Sequence, residues 1–500
     1  MSRKATHYRS ILKASSLIGG ASLINLLIGM VRVKFVAVLL GPAGVGLMGT
    51  YVTITTLVNT VSGMGISTSG VRQISESYGA GNQESISRTV TAVRRTVWLT
   101  GALGMLLTAA GALWLSRWSF GNEDHTVPVA LLSVTVLLAA ITSGQACLLQ
   151  GARRIADMAK VSVVGAVNGT LIGIPCYYAW GMRGIVPSLI LGSIAGLATS
   201  WWFARRVPVE PLQVPYRKSL SDSKRLLLFG LPLMLSGLAG TLSSYLIRIV
   251  MIREVGLDGV GVYQAAFSLS GLIVNYVLLA MAADYYPRLT TVAHDNQRVG
   301  EEVNTQTEVA LLLAGPALMA TFMFAPIAIH IFYSGRFDAA VEILRWAVYG
   351  VFWRVVSWPM GFILLAKAKG SLFLTTEVFA GVFHLAAIWF CTRHWGLPGT
   401  GMAYVLMNAV CTVIMLGLFL GLTGRTWSRT VVFITFGVLG LMVLAGLISL
   451  TSWSGWLTWP LNLGLLSGLS LACLWRLSRK TGLNLQTVLA KLGLKARPQA

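Results

Sequence analysis

Apolar and polar positions alternate along this chain in long blocks rather than residue by residue. Fourteen apolar stretches of about 20 or more residues stand between short polar segments. They cover 14–39, 43–66, 96–116, 127–149, 160–180, 184–204, 226–250, 258–283, 305–333, 342–366, 372–392, 398–421, 430–450 and 456–475. A stretch of that length crosses a hydrocarbon core as a helix. Open strands cannot, because unpaired peptide groups are not left in lipid. The pattern predicts an all-α polytopic membrane protein of about 14 transmembrane helices.

Two strings recur with one spacing. Gly41-Pro42-Ala43-Gly44-Val45-Gly46 returns as Gly256-Leu257-Asp258-Gly259-Val260-Gly261, and Trp180-Gly181-Met182-Arg183-Gly184 as Trp395-Gly396-Leu397-Pro398-Gly399, both 215 positions later. A shared offset at such distant places implies duplication of a six-span unit. Six helices precede the Pro-containing segment 205–225, so the second copy enters the membrane in the orientation of the first. Such parallel repeats flank a central pathway near the bilayer midplane. The expected organisation is an N-lobe at 1–210, a cytoplasmic linker at 211–225 and a C-lobe at 226–425. Two extra helices at 426–476 and a basic tail at 477–500 follow.

Composition agrees: 55% of residues are hydrophobic and 11% charged, a balance foreign to soluble domains. Thirty-nine Lys and Arg face 17 acids, for a formal charge of +22. In a soluble chain that excess would suggest nucleic acid; here its placement decides. With both termini cytoplasmic, 29 of the 39 cations fall on the inner side. They include Arg94, Arg95, Arg205, Arg206, Lys367, Arg425 and Arg476. That satisfies the positive-inside rule and makes anionic lipid the partner of the basic surface. The N-terminus lacks a small-residue cleavage pattern, so it reads as a retained first helix. The five cysteines all lie in spans, without a CxxC or Cys/His cluster, which argues against a metal site or disulfides.

Ten cations fall off the inner side. Arg117, Arg183, Arg336 and Arg393 flank outer loops, where long side chains snorkel to water. Arg32, Lys34, Arg248 and Arg354 lie deeper. Arg248 is eight residues before Gly256, hence about 12 Å down its helix. Arg32 and Lys34 are nine and seven residues before Gly41, at nearly equal depth in the first lobe. A cation there costs at least a few kcal/mol if it faces lipid, and is tolerated against a wet cavity or an anion. Guanidinium binds phosphate oxygens bidentately and Lys acts as a point charge, so a diphosphate suits all four. Arg32 and Lys34 are about 200° apart around the helix and cannot share one cavity. Arg354 has the alternative of pairing with Glu377 or Glu342. Glu377, an acid well inside a span, either binds Na⁺ or H⁺ for coupling or pairs with Arg354. The intramembrane amides, such as Asn25, Asn168, Gln145, Gln264 and Asn408, read first as helix–helix hydrogen bonds. No ATP-binding sequence is present, so no cofactor is expected and any drive comes from H⁺, Na⁺, the potential or substrate removal.

The run from Lys34 to Gly46 resembles the end of helix one and the following turn in bacterial O-antigen and enterobacterial-common-antigen translocases. Val260-Gly261-Val262-Tyr263-Gln264 is similar to their second-lobe turn, with Arg248 at the position of an arginine there. Pro287-Arg288-Leu289-Thr290 resembles an inner-loop region of theirs. The segment from Phe337 to Lys369, with Trp346, Gly350 and Arg354, matches as well, and Glu377 follows at the familiar distance. The resemblance spans about residues 10–420. It implies a Wzx-type flippase of the multidrug/oligosaccharidyl-lipid/polysaccharide superfamily in the bacterial inner membrane. Such a protein moves undecaprenyl-diphosphate-linked oligosaccharide, an O-antigen or exopolysaccharide repeat unit, to the outer leaflet by alternating access. A polysaccharide polymerase and a chain-length regulator would be its protein partners. Those relatives carry Asp after the span-10 glycine, where this chain has Val351, which leaves ion coupling through that acid open. They also have twelve helices, without the extra pair.

Two alternatives compete. A multidrug or cation exporter of the same fold would need acids within the spans of a lobe, whereas this interior is rich in cations. A membrane glycan polymerase or transferase would need a long outer loop with catalytic residues. The outer loops here are short, so the expectation is a transporter and not an enzyme.

Overall fold

A computed structural model describes residues 3–210, 216–450 and 455–481. The centre of the linker, 211–215, and most of the basic tail, with Lys491, Lys495 and Arg497, lie outside the described residues. Every regular element among the described residues is helical. In order they are α1 (Arg3–Gly63), α2 (Ile66–Gly79), α3 (Gln83–Ala110), α4 (Ala112–Phe120), α5 (Thr126–Gly151), α6 (Ile155–Trp180), α7 (Ile185–Ala204) and α8 (Tyr216–Ser270). Then come α9 (Leu272–Thr291), α10 (Asn296–Met323), α11 (Ala325–Phe332), α12 (Ala339–Ala366), α13 (Gly370–Trp395), α14 (Pro398–Thr423), α15 (Arg429–Leu450) and α16 (Gly455–Thr481). Among the described residues nine helices are long and apolar enough to cross a membrane, or eleven when two bent pairs are counted. Two of the nine stretches, Gly19–Gly63 and Ile155–Ala204, run 45 and 50 residues, about twice the length one crossing needs.

The duplication is written into the backbone. The long helices α1 and α8 break at Gly41 (φ 69°, ψ −169°) and Gly256 (φ 73°, ψ 179°), a conformation that a side chain would strain. Arg153 and Ala368, also 215 apart, both take a left-handed turn, at φ 55° and 53°. At each turn the next amide donates back to a carbonyl five residues earlier, Arg154 to Leu149 and Lys369 to Leu364, at 2.8 Å in both. Helices α3 and α10 have 28 residues each, and a side-chain carbonyl or carboxylate caps both, Asn82 and Asp295 accepting two amides apiece. Gly184 and Gly399 serve one close approach: a Cβ there would lie 2.7 Å from the Cys176 carbonyl carbon and 2.5 Å from that of Cys391.

Two compact units result. One comprises Met1–Gln264 with Ile331–Arg336, the other Ala265–His330 with Phe337–Ala500. The first has a core of Ile66, Ile74, Val90, Val93, Leu148 and Leu226. Helix α8 is fastened along it at two levels. Arg88 on α3 donates to both carboxylate oxygens of Asp222 at 2.6 and 2.8 Å, and Ser119 and Tyr245 share a 2.7 Å hydrogen bond. The second unit is built on Tyr285, Leu289, Val303, Met360, Ile363 and Phe419. The appended helices α15 and α16 pack on its α10.

Candidate functional site

The repeated glycines bring α1 and α8 together inside the first unit. Gly46 faces the Leu257 carbonyl and Gly261 faces the Pro42 carbonyl, a reciprocal contact closer than any Cβ would allow. One turn further, Gly49 leaves room for two side chains of α8: a Cβ there would stand 2.6 Å from Arg248 Nη1 and closer still to Gln264 Oε1. Both of those atoms are buried without a hydrogen-bond partner. Leaving a buried polar atom unpaired costs about 1–3 kcal/mol, and more when it is charged. A donor on a guanidinium and an amide oxygen, both unmet, form a pair of groups suited to an oxygen-rich ligand.

Arg32 and Lys34 take different directions, as their 200° separation requires. Arg32 reaches Tyr177 Oη on α6 at 3.5 Å, in a space kept open by Gly169, and its Nε is buried without a partner. Tyr177 Oη also accepts from Ser188 at 3.0 Å. Lys34 donates to the carbonyl of Tyr333, within the 331–336 segment that belongs to this unit. Lys34 therefore binds backbone, while Arg32 and Arg248 each retain a buried nitrogen without a partner.

Arg354 and Glu377 belong to the second unit, where both line a cavity of about 770 Å³ between α12, α13 and α14. Both are exposed to it. They form no ion pair among the described residues, nor does Arg248. Trp358, Phe362 and Tyr404 supply aromatic walls, and Asn408 spends its amide on the Tyr404 carbonyl at 2.9 Å.

Several interactions carry no clear signal in the sequence. A second cavity, of about 380 Å³ in the first unit, is lined by Thr56, Asn59, Thr60, Ser67, Thr100 and Ser143. Thr56 and Thr60 donate to carbonyls four residues earlier, at 2.7 and 2.9 Å, which leaves their oxygen lone pairs as acceptors. The run of hydroxyl residues from Thr53 to Thr60 is the pattern that could have pointed to it. Among the described residues Glu308 on α10 is the one buried acid, 4% exposed, and it binds Arg476 at 2.8 Å and also Lys480, both on α16. The amides divide: Asn25 bonds Ser162 at 2.6 Å, Asn168 bonds Thr199 at 3.2 Å and Gln145 accepts from Ser200. Those three join helices, as expected, while the Gln264 oxygen is left over.

Comparison with known proteins bears on this arrangement. Residues 35–342 match the polysaccharide biosynthesis protein family. The chain belongs to that family. Among curated relatives it is similar to the lipid III flippase of Escherichia coli, 22% identical over 82% of this chain and 98% of that protein. A putative O-antigen transporter of Shigella flexneri is 20% identical over 62% of this chain and 74% of that protein. In fold it resembles the lipid II flippase MurJ in its inward closed conformation, with a TM-score of 0.72, 12% identity and coverage of 93% and 99% of the two chains. An inward-facing multidrug resistance MATE transporter of the MOP superfamily matches with a TM-score of 0.65 and 18% identity, over 80% of this chain and 95% of that one. The family member described here is thus a helical, multi-pass membrane protein with the fold of that superfamily.

Proposed function

We propose that this protein is a flippase for undecaprenyl-diphosphate-linked oligosaccharide, an O-antigen or exopolysaccharide repeat unit. It moves this substrate from the cytoplasmic to the outer leaflet of the bacterial inner membrane by alternating access. The observation that carries the reading is the Arg248 guanidinium: at membrane depth, without an ion pair among the described residues, and with Nη1 buried and unmet beside an unmet Gln264 oxygen. A charge held so in a membrane is costly unless an anion visits it. Arg354 offers a second guanidinium in the cavity of the other unit. Family membership and the named activities of the similar proteins support the same substrate class.

The diphosphate is the part of the substrate that hydrocarbon rejects most strongly, and Arg248 and Arg32 of the first unit replace its lost hydration with charge-assisted hydrogen bonds, as Arg354 does within the cavity of the second. The acceptor-lined cavity around Thr56 and Asn59 suits the hydroxyl hydrogens of the sugar. The lipid tail stays in the bilayer. The repeat units 1–210 and 226–425 serve as the alternating lobes, and Glu377 is the group through which H⁺ or Na⁺ would couple to them. A polymerase and a chain-length regulator would take over the exported unit. The test is leaflet-resolved translocation of a lipid-linked oligosaccharide by the full chain in vesicles. Arg248→Gln is expected to slow it about ten- to a hundredfold, the loss of one or two charge-assisted hydrogen bonds. Full-rate translocation by a well-inserted Arg248→Ala/Arg354→Ala variant overturns the assignment.

A further inference from the structure

A groove of about 540 Å³ lies between α3, α5 and α7 of the first unit, away from the residues assigned above. Arg94 and Trp98 enter it from one face of α3, four residues apart. Ile194, Leu197, Trp201 and Arg205 enter from one face of α7 at helical spacing. The walls are apolar and the two cations stand at one end. From Ile194 to Arg205 the face of α7 runs eleven residues, about 16 Å at the helical rise. That is about half of a 30 Å hydrocarbon core, the depth of one leaflet.

The cations are available. Arg94 has no hydrogen bond or ion pair among the described residues, and Arg205 stacks on Trp202 at 3.7 Å, which positions its guanidinium without neutralising it. No Asp or Glu lines the groove, so a headgroup ammonium would find no partner there. Gln145, the remaining polar side chain, is already bonded to Ser200. The repeat shows what the matching face does otherwise. Two hundred and thirteen residues on, Arg94 and Trp98 become Thr307 and Leu311, and both of those are fully buried. At α3 the same two positions open onto the groove.

We propose that this groove holds an anionic phospholipid of the inner leaflet. Its phosphate sits between Arg94 and Arg205, and one acyl chain lies along Trp98, Leu197 and Trp201. The basic end of the groove is the end that the distribution of cations turns toward the cytoplasm.

The site can be tested without transport, by native mass spectrometry of the full chain released from micelles containing phosphatidylglycerol and phosphatidylethanolamine. Phosphatidylglycerol should be retained preferentially. Arg94→Gln/Arg205→Gln should reduce its retention about thirtyfold, the combined effect of two interfacial cations. Ala198→Phe, which fills the groove and leaves both cations, should reduce it as well, whereas Arg94→Lys/Arg205→Lys should keep most of it. Undiminished phosphatidylglycerol retention by the double Gln variant or by Ala198→Phe overturns the proposal. So does loss of undecaprenyl diphosphate binding in those variants while phosphatidylglycerol stays bound, since the groove would then belong to the transported lipid. A protein that fails to flip oligosaccharide but passes this test leaves the lipid site standing.

Discussion

Helices α3 and α10 are the same helix twice, and they differ in what they meet. Both have 28 residues and both start at a side-chain cap. On α10 an acid, Glu308, is buried by two cations of α16. On α3 the matching pair of positions holds Arg94 and Arg95, and Arg94 opens onto an apolar groove. One backbone therefore supports two outer surfaces: Arg94 and Trp98 line a groove, whereas Thr307 and Leu311 at the matching positions are buried. On the neighbouring face an acid, Glu308, binds a basic helix of the same chain; its α3 counterpart, Arg95, lies seven residues from Arg88 and so on the face that α8 meets through Asp222. The appended helices are thus held to the duplicated core by a specific electrostatic contact as well as by apolar packing.

The comparison breaks most visibly at Glu308. Glu308→Ala strands two cations at a contact whose acid was 95% covered. The expected loss is about 3 kcal/mol, read as a lower unfolding temperature in detergent. Arg94→Gln, at the position next to the α3 counterpart, should change stability by less than about 0.5 kcal/mol. Equal losses would mean that the charge on α10 does not hold α16. The paired glycines sharpen the likeness instead. Gly184→Ala and Gly399→Ala press on equivalent carbonyls and should each cost about 2 kcal/mol, with closely similar unfolding shifts. A large cost at only one of them would show that the two repeats differ in packing as well as in charge.

Asp222→Asn removes a two-point contact between α8 and α3 whose side chains are 25% and 35% exposed. It should cost about 1 kcal/mol, and faster exchange of the α8 amides near Asp222 would report the release. The smallest effect is one of pH. His125, matched by Asp338 in the second repeat, bonds Tyr51 at 2.8 Å and packs on Phe120. Burial holds the His125 imidazole below its ordinary range, and nearby Asp124 opposes this in part. The unfolded chain takes up a proton near pH 6.5 before the folded one does. Stability therefore falls as pH drops through that value, and stops falling once the folded imidazole is protonated too. His125→Gln should flatten that part of the curve; an unchanged slope in the variant would assign it to other groups.

Much of this architecture is legible in residue order. The blocks of apolar residues require helices, and the 215-residue offset of two glycine strings fixes turns that recur with the same dihedral angles. The distance of Arg248 from the Gly256 turn follows from counting along a helix of known rise. The sequence also resolved the divergence of Arg32 and Lys34, because two positions 200° apart cannot share a target. Partners were not legible in the same way. That Gly49 is the void into which Arg248 and Gln264 fit depends on two helices crossing, about 200 residues apart in sequence. The burial of Glu308 came from α16, which lies outside the repeat and so outside the pattern that ordered everything else. The hydroxyls around Thr56 read as an ordinary helix until their neighbours on α3 and α5 close a cavity over them.

The chain by itself thus determined its class, its duplication and its family, since each rests on periodicity or on strings of residues close in sequence. Only the tertiary structure decided which cations keep unmet donors, which acid is buried and which faces stay open. Those outcomes depend on side chains converging from distant helices, where desolvation and hydrogen-bond geometry are set by packing and not by order along the chain.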